Sequence, residues 1–253
     1  MRQILNDNQI SLGQLINVPL QKLDKSNKDY DKKVLEICHT GKFLMLLTSD
    51  FHISEVRERP DFIIESDDGS KIGLEHEILV DPIHKKIEGS FSDLVKTTER
   101  LFRERHPETK LLVNISVNTT KKLSKRENPI LVERLLSMIE DAISNTQFEE
   151  NDLVYNISCH KHSKLIFNTN TGAWWQRSLH TDIVAKSIRK KEQKRLSYIK
   201  NTGLNEQWLL IVVGSLSHSS YELDSEFDRN FKMETGFSRV FLMEDFNARL
   251  FEI

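Results

Sequence analysis

Three carboxylates in the stretch from Arg59 to Leu79 could together hold a divalent cation. The stretch reads RPDFIIESDDGSKIGLEHEIL and contains Asp61, Glu75 and Glu77. Carboxylates on one face repel one another, which costs stability unless a cation compensates the repulsion. Mg²⁺ is usually held by one or two carboxylates together with water and substrate phosphate. The residue types therefore favour a magnesium site, provided that one structural element brings them together.

A β-hairpin would bring these carboxylates together. Its apolar residues alternate with polar ones and are Phe62, Ile64, Ile72 and Leu74. Because side chains in a strand change face at every residue, pairing these apolar positions puts Asp61 on the side of Glu75 and Glu77. We expect His76 to pack with Phe62 on the opposite face.

This strand pairing also predicts the turn of the hairpin. The register requires a turn of odd length, most simply Asp67-Asp68-Gly69, with Gly69 in the left-handed position of a bulge turn. The alternative interpretation is an ordinary hairpin whose polar face is simply solvated.

Pro60-Asp61, followed by the Gly73-x-Glu75 strand, resembles the PD-(D/E)XK nuclease superfamily. The family usually has a lysine two residues after the second acid, where this chain has Glu77. Some restriction enzymes of the superfamily also carry a glutamate there. The resemblance implies that Asp61 and Glu75 hold Mg²⁺ or Mn²⁺, and that Glu77 orients the attacking water or acts as a base.

A basic segment from His180 to Lys200 reads HTDIVAKSIRKKEQKRLSYIK and has helical periodicity. Its apolar stripe consists of Ile183, Val184, Ile188 and Tyr198. The spacing places Lys191 and Lys194 on or beside this stripe, and an inward lysine needs a carboxylate partner. The outer cations are Lys186, Arg189, Lys190, Arg195 and Lys200, and a solvated helix face is the plain interpretation of these.

The pattern I-x-x-K-x-x-K-x-x-x-Y, followed by the apolar strand from Trp208 to Val213, resembles bacterial proteins of the same superfamily. This resemblance implies that Lys191 or Lys194 replaces the missing strand lysine. It also implies that Arg189, Lys190 and Arg195 contact backbone phosphates, which would give affinity without sequence information.

Three further groups of residues have a functional and a plain interpretation. Glu36 lies in the predicted helix before the hairpin, where the superfamily can supply an additional acid, but a helical glutamate is ordinarily solvated. His160 and His162 are interpreted as surface or turn histidines rather than metal ligands. Trp174-Trp175 is interpreted as a packing pair rather than a surface that stacks nucleobases.

Composition bounds the remaining possibilities. The 253 residues are 38% hydrophobic, which is enough for a sizeable core, and the formal net charge of −2 means that nucleic-acid binding needs a local patch. Cys38 and Cys159 have no metal-ligand spacing and are expected to be free thiols. With neither a signal-peptide pattern nor a run of eighteen apolar residues, we expect a cytoplasmic protein without a membrane partner.

The fold class predicted from these elements is α/β. Strands near residues 61, 72, 111, 208 and 239 and helices near 29, 88, 130 and 185 predict one domain over 1–253, with a mixed central sheet flanked by helices. Residues 1–27 are expected to be a loosely held lead-in. The resemblance implies a restriction-endonuclease-like core, α-β-β-β-α-β, with an insertion at 119–180.

The expected function is a Mg²⁺-dependent nuclease that hydrolyses phosphodiester bonds of DNA or RNA, with DNA favoured. One alternative is a catalytically degenerate nuclease-fold module that binds nucleic acid or a protein. Another is a structural protein in which lysines and carboxylates form a buried ion network. Glu77 in the lysine position keeps these alternatives open.

Overall fold

The structure is a computed structural model that describes residues 2–4, 11–47, 50–124, 126–144, 151–172, 176–215 and 217–253. The Trp174-Trp175 pair lies outside these ranges. The chain divides into two compact units, the first within 1–79, 177–215 and 221–253, the second within 80–176 and 216–220. Within the described ranges, no helix is long and apolar enough to cross a membrane.

The helices and strands follow one another in this order: β1 (Arg2–Ile4), α1 (Leu12–Gln21), α2 (Tyr30–Leu46), β2 (Phe51–Val56), β3 (Phe62–Ser66), β4 (Lys71–Ile78), α3 (Pro82–Arg105), β5 (Leu111–Val117), α4 (Asn128–Ile143), β6 (Val154–Lys161), β7 (Ile166–Asn170), β8 (Arg177–Ser178), α5 (Thr181–Thr202), β9 (Gln207–Val213), β10 (Tyr221–Glu222), β11 (Arg239–Glu244) and β12 (Arg249–Glu252).

The first unit is built on a mixed sheet with the strand order β1-β12-β11-β9-β4-β3-β2. β2, β3 and β4 form an antiparallel meander, β4 runs parallel to β9, and β9 runs parallel to β11. The side chains of β9 are buried on both faces of the sheet, as its uninterrupted apolar sequence predicts. Leu210 packs into one core with residues of α2, and Leu209 into another with residues of α5.

The lead-in predicted at the N-terminus is more ordered than expected. A capping box between Ser11 and Gln14 begins α1, and Ile16 of this helix is buried against α2. The two helices approach so closely at Gly41 that a Cβ atom there would lie 2.2 Å from Cγ2 of Ile16. A glycine in α2 therefore makes room for α1.

The second unit contains a three-stranded sheet with the order β6-β5-β7, and α3 and α4 cover one of its faces. Our assignment of the strand near residue 111 to the central sheet is wrong, because β5 pairs with β6 and β7. The strand Phe51–Val56, which the sequence pattern did not reveal, pairs with β3 instead. We expected an insertion at 119–180, and this compact unit begins earlier, at Val80.

Candidate active site

The β3–β4 hairpin has the predicted register and turn. Phe62 pairs with Leu74, Ile64 pairs with Ile72, and all four side chains are buried in one core cluster. The amide of Ser66 donates a hydrogen bond to the carbonyl of Ser70, so the turn consists of three residues. Its last residue, Gly69, has a φ of +85°. A side chain would be strained in this conformation, which explains the glycine.

The hairpin register places the candidate acids on one side of the sheet. By strand alternation Asp61 comes opposite Glu75, and Glu77 follows on the same face. His76 lies between the two glutamates on the other face, where its ring is buried next to His39 of α2. The predicted separation of the acids from His76 is therefore confirmed.

Lys191 of α5 converges on the two glutamates. Its Nζ atom lies 2.7 Å from Oε1 of Glu75 and 2.8 Å from Oε2 of Glu77. The same ammonium group donates a hydrogen bond of 3.0 Å to the carbonyl oxygen of His76. Lys191 and Glu75 are each 6% exposed, so this is a buried ion pair with three oxygens around one cation.

Asp61 lies at the start of the hairpin, close to Lys33 of α2. Its Oδ2 atom accepts a hydrogen bond of 2.9 Å from the backbone N–H of His76. Its Oδ1 atom lies 3.7 Å from Nζ of Lys33, a buried lysine of α2. The Lys33 ammonium also lies 3.0 Å from Oε2 of Glu36 and donates to the carbonyl of Arg57 at 2.8 Å.

The surroundings of Asp61 and Glu77 shift the pKa values of these two carboxyl groups in opposite directions. Burial, followed by the negative charge of Glu75, raises the pKa of Asp61 to about 7, although the N–H of His76 opposes this rise. Burial also disfavours the charged form of Glu77, but Lys191 and then Lys190 outweigh it and lower the Glu77 pKa. Near neutral pH, Glu77 is therefore ionised while Asp61 is close to its midpoint.

The buried lysine keeps its charge. Desolvation alone would lower the pKa of Lys191, but the charges of Glu75 and Glu77 and their hydrogen bonds outweigh it and raise that pKa. Burial, and then the charge of Glu75, raise the pKa of the Tyr198 hydroxyl, which therefore remains protonated. Lys191 is accordingly a fixed cation and Tyr198 a neutral neighbour.

Oε2 of Glu75 and the hydroxyl of Tyr198 are buried without a hydrogen bond of standard geometry, although the Tyr198 hydroxyl does interact with the Glu75 carboxylate, and this contact contributes to its raised pKa. Unpaired buried polar atoms are costly, and a cation with its water would satisfy a free carboxylate oxygen. This oxygen and the repulsion between Glu75 and Asp61 are compatible with a cation at this pair of acids. Within the described ranges, no group of three or more His, Cys, Asp or Glu side chains is arranged as a complete ligand set.

The exposure of the lysines and arginines of α5 agrees only in part with the prediction from their spacing. We predicted that Lys191 or Lys194 points toward the carboxylates: Lys191 does, whereas Lys194 is exposed and pairs with none of Asp61, Glu75 and Glu77. Lys190 is exposed as expected but also reaches Oε1 of Glu77 at 3.2 Å. Arg189 is exposed.

Arg195 does not face solvent freely, contrary to the prediction. Its side chain is 24% exposed, and its Nε atom lies 3.2 Å from Oε1 of Glu192. Glu192 also accepts a hydrogen bond from the backbone N–H of Gly236. Arg195 is thus held by a glutamate of its own helix, one turn away.

The remaining candidates lie as follows. Glu36 is buried rather than solvated, and Lys32 and Lys33 both pair with its carboxylate. His160 and His162 are exposed, in agreement with their interpretation as surface histidines. Both cysteines are free and half-buried.

Sequence reasoning missed two residues that contact the candidate site, Lys33 and His39. Lys33 precedes Glu36 by three positions, which is a recognisable ion-pair spacing on a helix. His39 follows Glu36 by three positions and faces the sheet, but no residue pattern relates it to His76. Only the packing of α2 on β4 brings the two rings together.

Comparison with known proteins gives no relative: no family model, no curated protein and no solved structure matches this chain.

Proposed function

We propose that this protein is a Mg²⁺-dependent nuclease that hydrolyses phosphodiester bonds of nucleic acid, with DNA favoured over RNA. The observation that carries the proposal is the convergence of Lys191 on Glu75 and Glu77, beside Asp61. A helix more than a hundred residues away along the chain supplies the cation that the hairpin lacks. This combination of acids and one protonated lysine suits the stabilisation of negative charge on a phosphate.

The order of elements in the first unit supports the same proposal. Helix α2, the meander β2-β3-β4, helix α5 and strand β9 occur in the order α-β-β-β-α-β, with the elements α3 to β8 between β4 and α5 in the sequence. Glu75 and Glu77 lie on β4, the third strand of this series, and Asp61 directly precedes β3, the second. The PD-(D/E)XK resemblance implies this order, although its third strand is β4 and not the strand near residue 111.

In the proposed mechanism, Asp61 and Glu75 would hold the metal ion. When bound, the ion would supply Lewis-acid chemistry that polarises the scissile phosphate and activates the attacking water. Glu77, which is ionised at neutral pH, would accept a hydrogen bond from the attacking water and orient it. Lys191 would stabilise developing charge on the phosphate, because its raised pKa makes it a poor proton acceptor.

The exposed cations of α5 would hold the nucleic-acid backbone. Lys190 and Arg189 are exposed on this helix. Lysine and arginine contacts to phosphate give salt-dependent affinity without sequence information. Arg195 is the weaker candidate, since Glu192 already neutralises it.

A plasmid-cleavage assay tests the proposal. The protein should nick or linearise plasmid DNA in Mg²⁺ or Mn²⁺ and should be inactive in EDTA. Asp61→Ala and Lys191→Met should abolish cleavage, whereas Lys194→Met, which removes an exposed lysine of the same helix, should retain most of it. Cleavage that survives Asp61→Ala would refute the assignment of the site.

The second candidate function is a nuclease-fold module that binds nucleic acid without cutting it. The observation that favours it is that lysines already neutralise the carboxylates of the site. Lys191 pairs with both glutamates, and Lys33 lies close to Asp61. Such a module would bind nucleic acid equally well in EDTA and would give no cleavage with any divalent ion. A buried ion network without function would show neither property.

A further inference from the structure

The second unit presents a sheet face that is open to solvent. Val113 and Ile115 on one side of β5 are fully buried against the helices of this unit. Asn114 and Ser116 on the other side are half-exposed, although β5 lies between two neighbouring strands. A central strand stays accessible in this way where none of the described residues packs closely over it.

Amides and hydroxyls line most of this open face, and the half-buried Leu112 and Ile166 lie on it toward one end. The strand registers align Ser116 with Asn156 and Asn170, and Asn114 with Ser158 and Asn168. None of these aligned positions carries a carboxylate. The Asn168 amide donates to Oδ1 of Asn114 at 3.1 Å, which leaves the other half of each amide to a ligand. The face thus offers donors and acceptors in rows without negative charge.

An aromatic ring lies at one end of this face. Tyr155 lies at a shift in the register between β6 and β5, near the end of β5, and it is 44% exposed. Its hydroxyl donates a hydrogen bond of 2.9 Å to Oδ1 of Asn118. This hydrogen bond holds the ring in place while much of the ring remains exposed to solvent. Such a ring is suited to stacking against a nucleobase.

The opposite end of the face carries cations. Lys110 directly precedes β5 and Lys164 precedes β7, and the parallel register of the two strands aligns these positions. Both side chains are exposed, and neither forms an ion pair with any described residue. His160 and His162 lie beside them and are also exposed.

We propose that this face, made by β6, β5 and β7, binds an unpaired nucleic-acid strand. Base edges are hydrogen-bonded by amides such as those of asparagine, an exposed aromatic ring stacks a base, and free lysines neutralise phosphates. A protein partner is disfavoured, because the core of a protein interface is rich in apolar and aromatic residues rather than amides. The surface belongs to the second unit, and its binding would require no metal ion, so it goes beyond the proposed cleavage site.

Fluorescence anisotropy of the full-length chain tests this inference in EDTA, where cleavage is absent. Labelled single-stranded DNA, single-stranded RNA and a duplex of the same sequence serve as probes. Tyr155→Ala should weaken binding of a single strand by about tenfold, the usual effect of losing one stacked base. Asn114→Ala combined with Asn168→Ala should also weaken it, and the two single-strand probes decide between DNA and RNA.

A charge-reversal pair provides the matched control. Lys110→Glu with Lys164→Glu should weaken binding and reduce its salt dependence, by about 0.7 in the logarithmic slope for each phosphate that is no longer neutralised. Lys86→Glu with Lys96→Glu changes the net charge equally at exposed positions of α3 and should have little effect. Equal weakening by both pairs would overturn the inference, because binding would then follow net charge alone.

Three other results would also overturn it. These are affinity unchanged by Tyr155→Ala and by the asparagine pair, tighter binding of the duplex than of either single strand, and a dimer in sedimentation experiments that Tyr155→Ala dissociates. The last result would assign the face to a second copy of the chain. A failure of plasmid cleavage would leave this test intact, since the two experiments probe different units and different conditions.

Discussion

The rings of His39 and His76 lie against each other in the core of the first unit, with Nδ1 of His39 3.1 Å from Nε2 of His76. The backbone of His76 also contacts both halves of the candidate site. Its N–H donates to Asp61 and its carbonyl accepts from Lys191. One buried residue therefore connects the carboxylate of the hairpin with the ammonium group of α5.

We predict that His39→Leu destabilises the protein by about 1–3 kcal/mol, because it leaves a buried ring nitrogen of His76 without a partner. Burial lowers the pKa of both rings, so the pair is neutral and one ring donates to the other. Urea unfolding measures the effect. His52→Leu, at an exposed position of β2, is the control and should stay within about 0.5 kcal/mol of the parent. An equal effect of both substitutions would contradict a specific role for the contact.

A second prediction concerns Lys191. Lys191→Met should destabilise the metal-free protein by about 3–5 kcal/mol, because removal of the cation leaves Glu75 buried and uncompensated. Lys194→Met should change the free energy of unfolding by less than about 0.5 kcal/mol, since that side chain is exposed. Chemical denaturation at neutral pH in EDTA measures both. A Lys191→Met protein as stable as the parent would mean that the ion pair is not formed in solution.

The raised pKa of Asp61 predicts a pH dependence of stability with a definite sign. A carboxyl group with a pKa of about 7 in the folded protein, against 3.8 ordinarily, binds its proton more tightly when the chain is folded. Its contribution is therefore present at low pH and is lost as the pH rises from about 4 to about 7, at roughly 1.4 kcal/mol for each pH unit.

Asp61→Asn should remove this component. The variant and the parent should be closest in stability at pH 4, where Asp61 is partly protonated even in the unfolded chain, and the variant should be the more stable at pH 8. Thermal melts of both proteins in EDTA at the two pH values test this. The buried ion network predicts the reverse at pH 8, because Lys33 and Lys191 would then lose a compensating charge.

A divalent ion should compensate the repulsion between the clustered carboxylates and so stabilise the folded protein. Mg²⁺ or Mn²⁺ at roughly a hundred times its dissociation constant should stabilise the folded protein by about 2.7 kcal/mol and raise its melting temperature. The rise should be larger at pH 8 than at pH 5, because protons compete for Asp61. Ca²⁺ is expected to produce a rise without supporting cleavage.

Asp61→Asn supplies the control for this titration. It should abolish the metal-induced rise in melting temperature, whereas Asp68→Asn, in the exposed turn of the same hairpin, should preserve it. A melting curve of the parent that is insensitive to all three ions would contradict the metal site.

Local patterns in the sequence determined the hairpin and the character of its faces. Alternation of apolar residues around Phe62 and Leu74, with a glycine at Gly69, left one register that buries the apolar face. Helix α5 and the buried strand β9 were equally readable, because their periodicity extends over many residues. These features depend on neighbours along the chain, which a sequence displays directly.

The tertiary structure alone decided which strands share a sheet. The segment Leu111–Val117 has a clear strand pattern, but its pattern does not specify its partners. It pairs with β6 and β7, while Phe51–Val56 takes the place beside β3. Strand pairing is a long-range choice made by the packing of whole units, so a local pattern cannot predict it.

The choice between Lys191 and Lys194 was likewise a matter of tertiary packing. Residues three apart on a helix point in directions that differ by only about 60°, so both positions lay beside the apolar stripe. The docking of α5 over β4 turns Lys191 toward Glu75 and leaves Lys194 in solvent. Lys33 entered the site for the same reason, because the packing of α2 brings its ammonium to Asp61. Burial and charge at this site arise from distant segments that meet only in the folded chain.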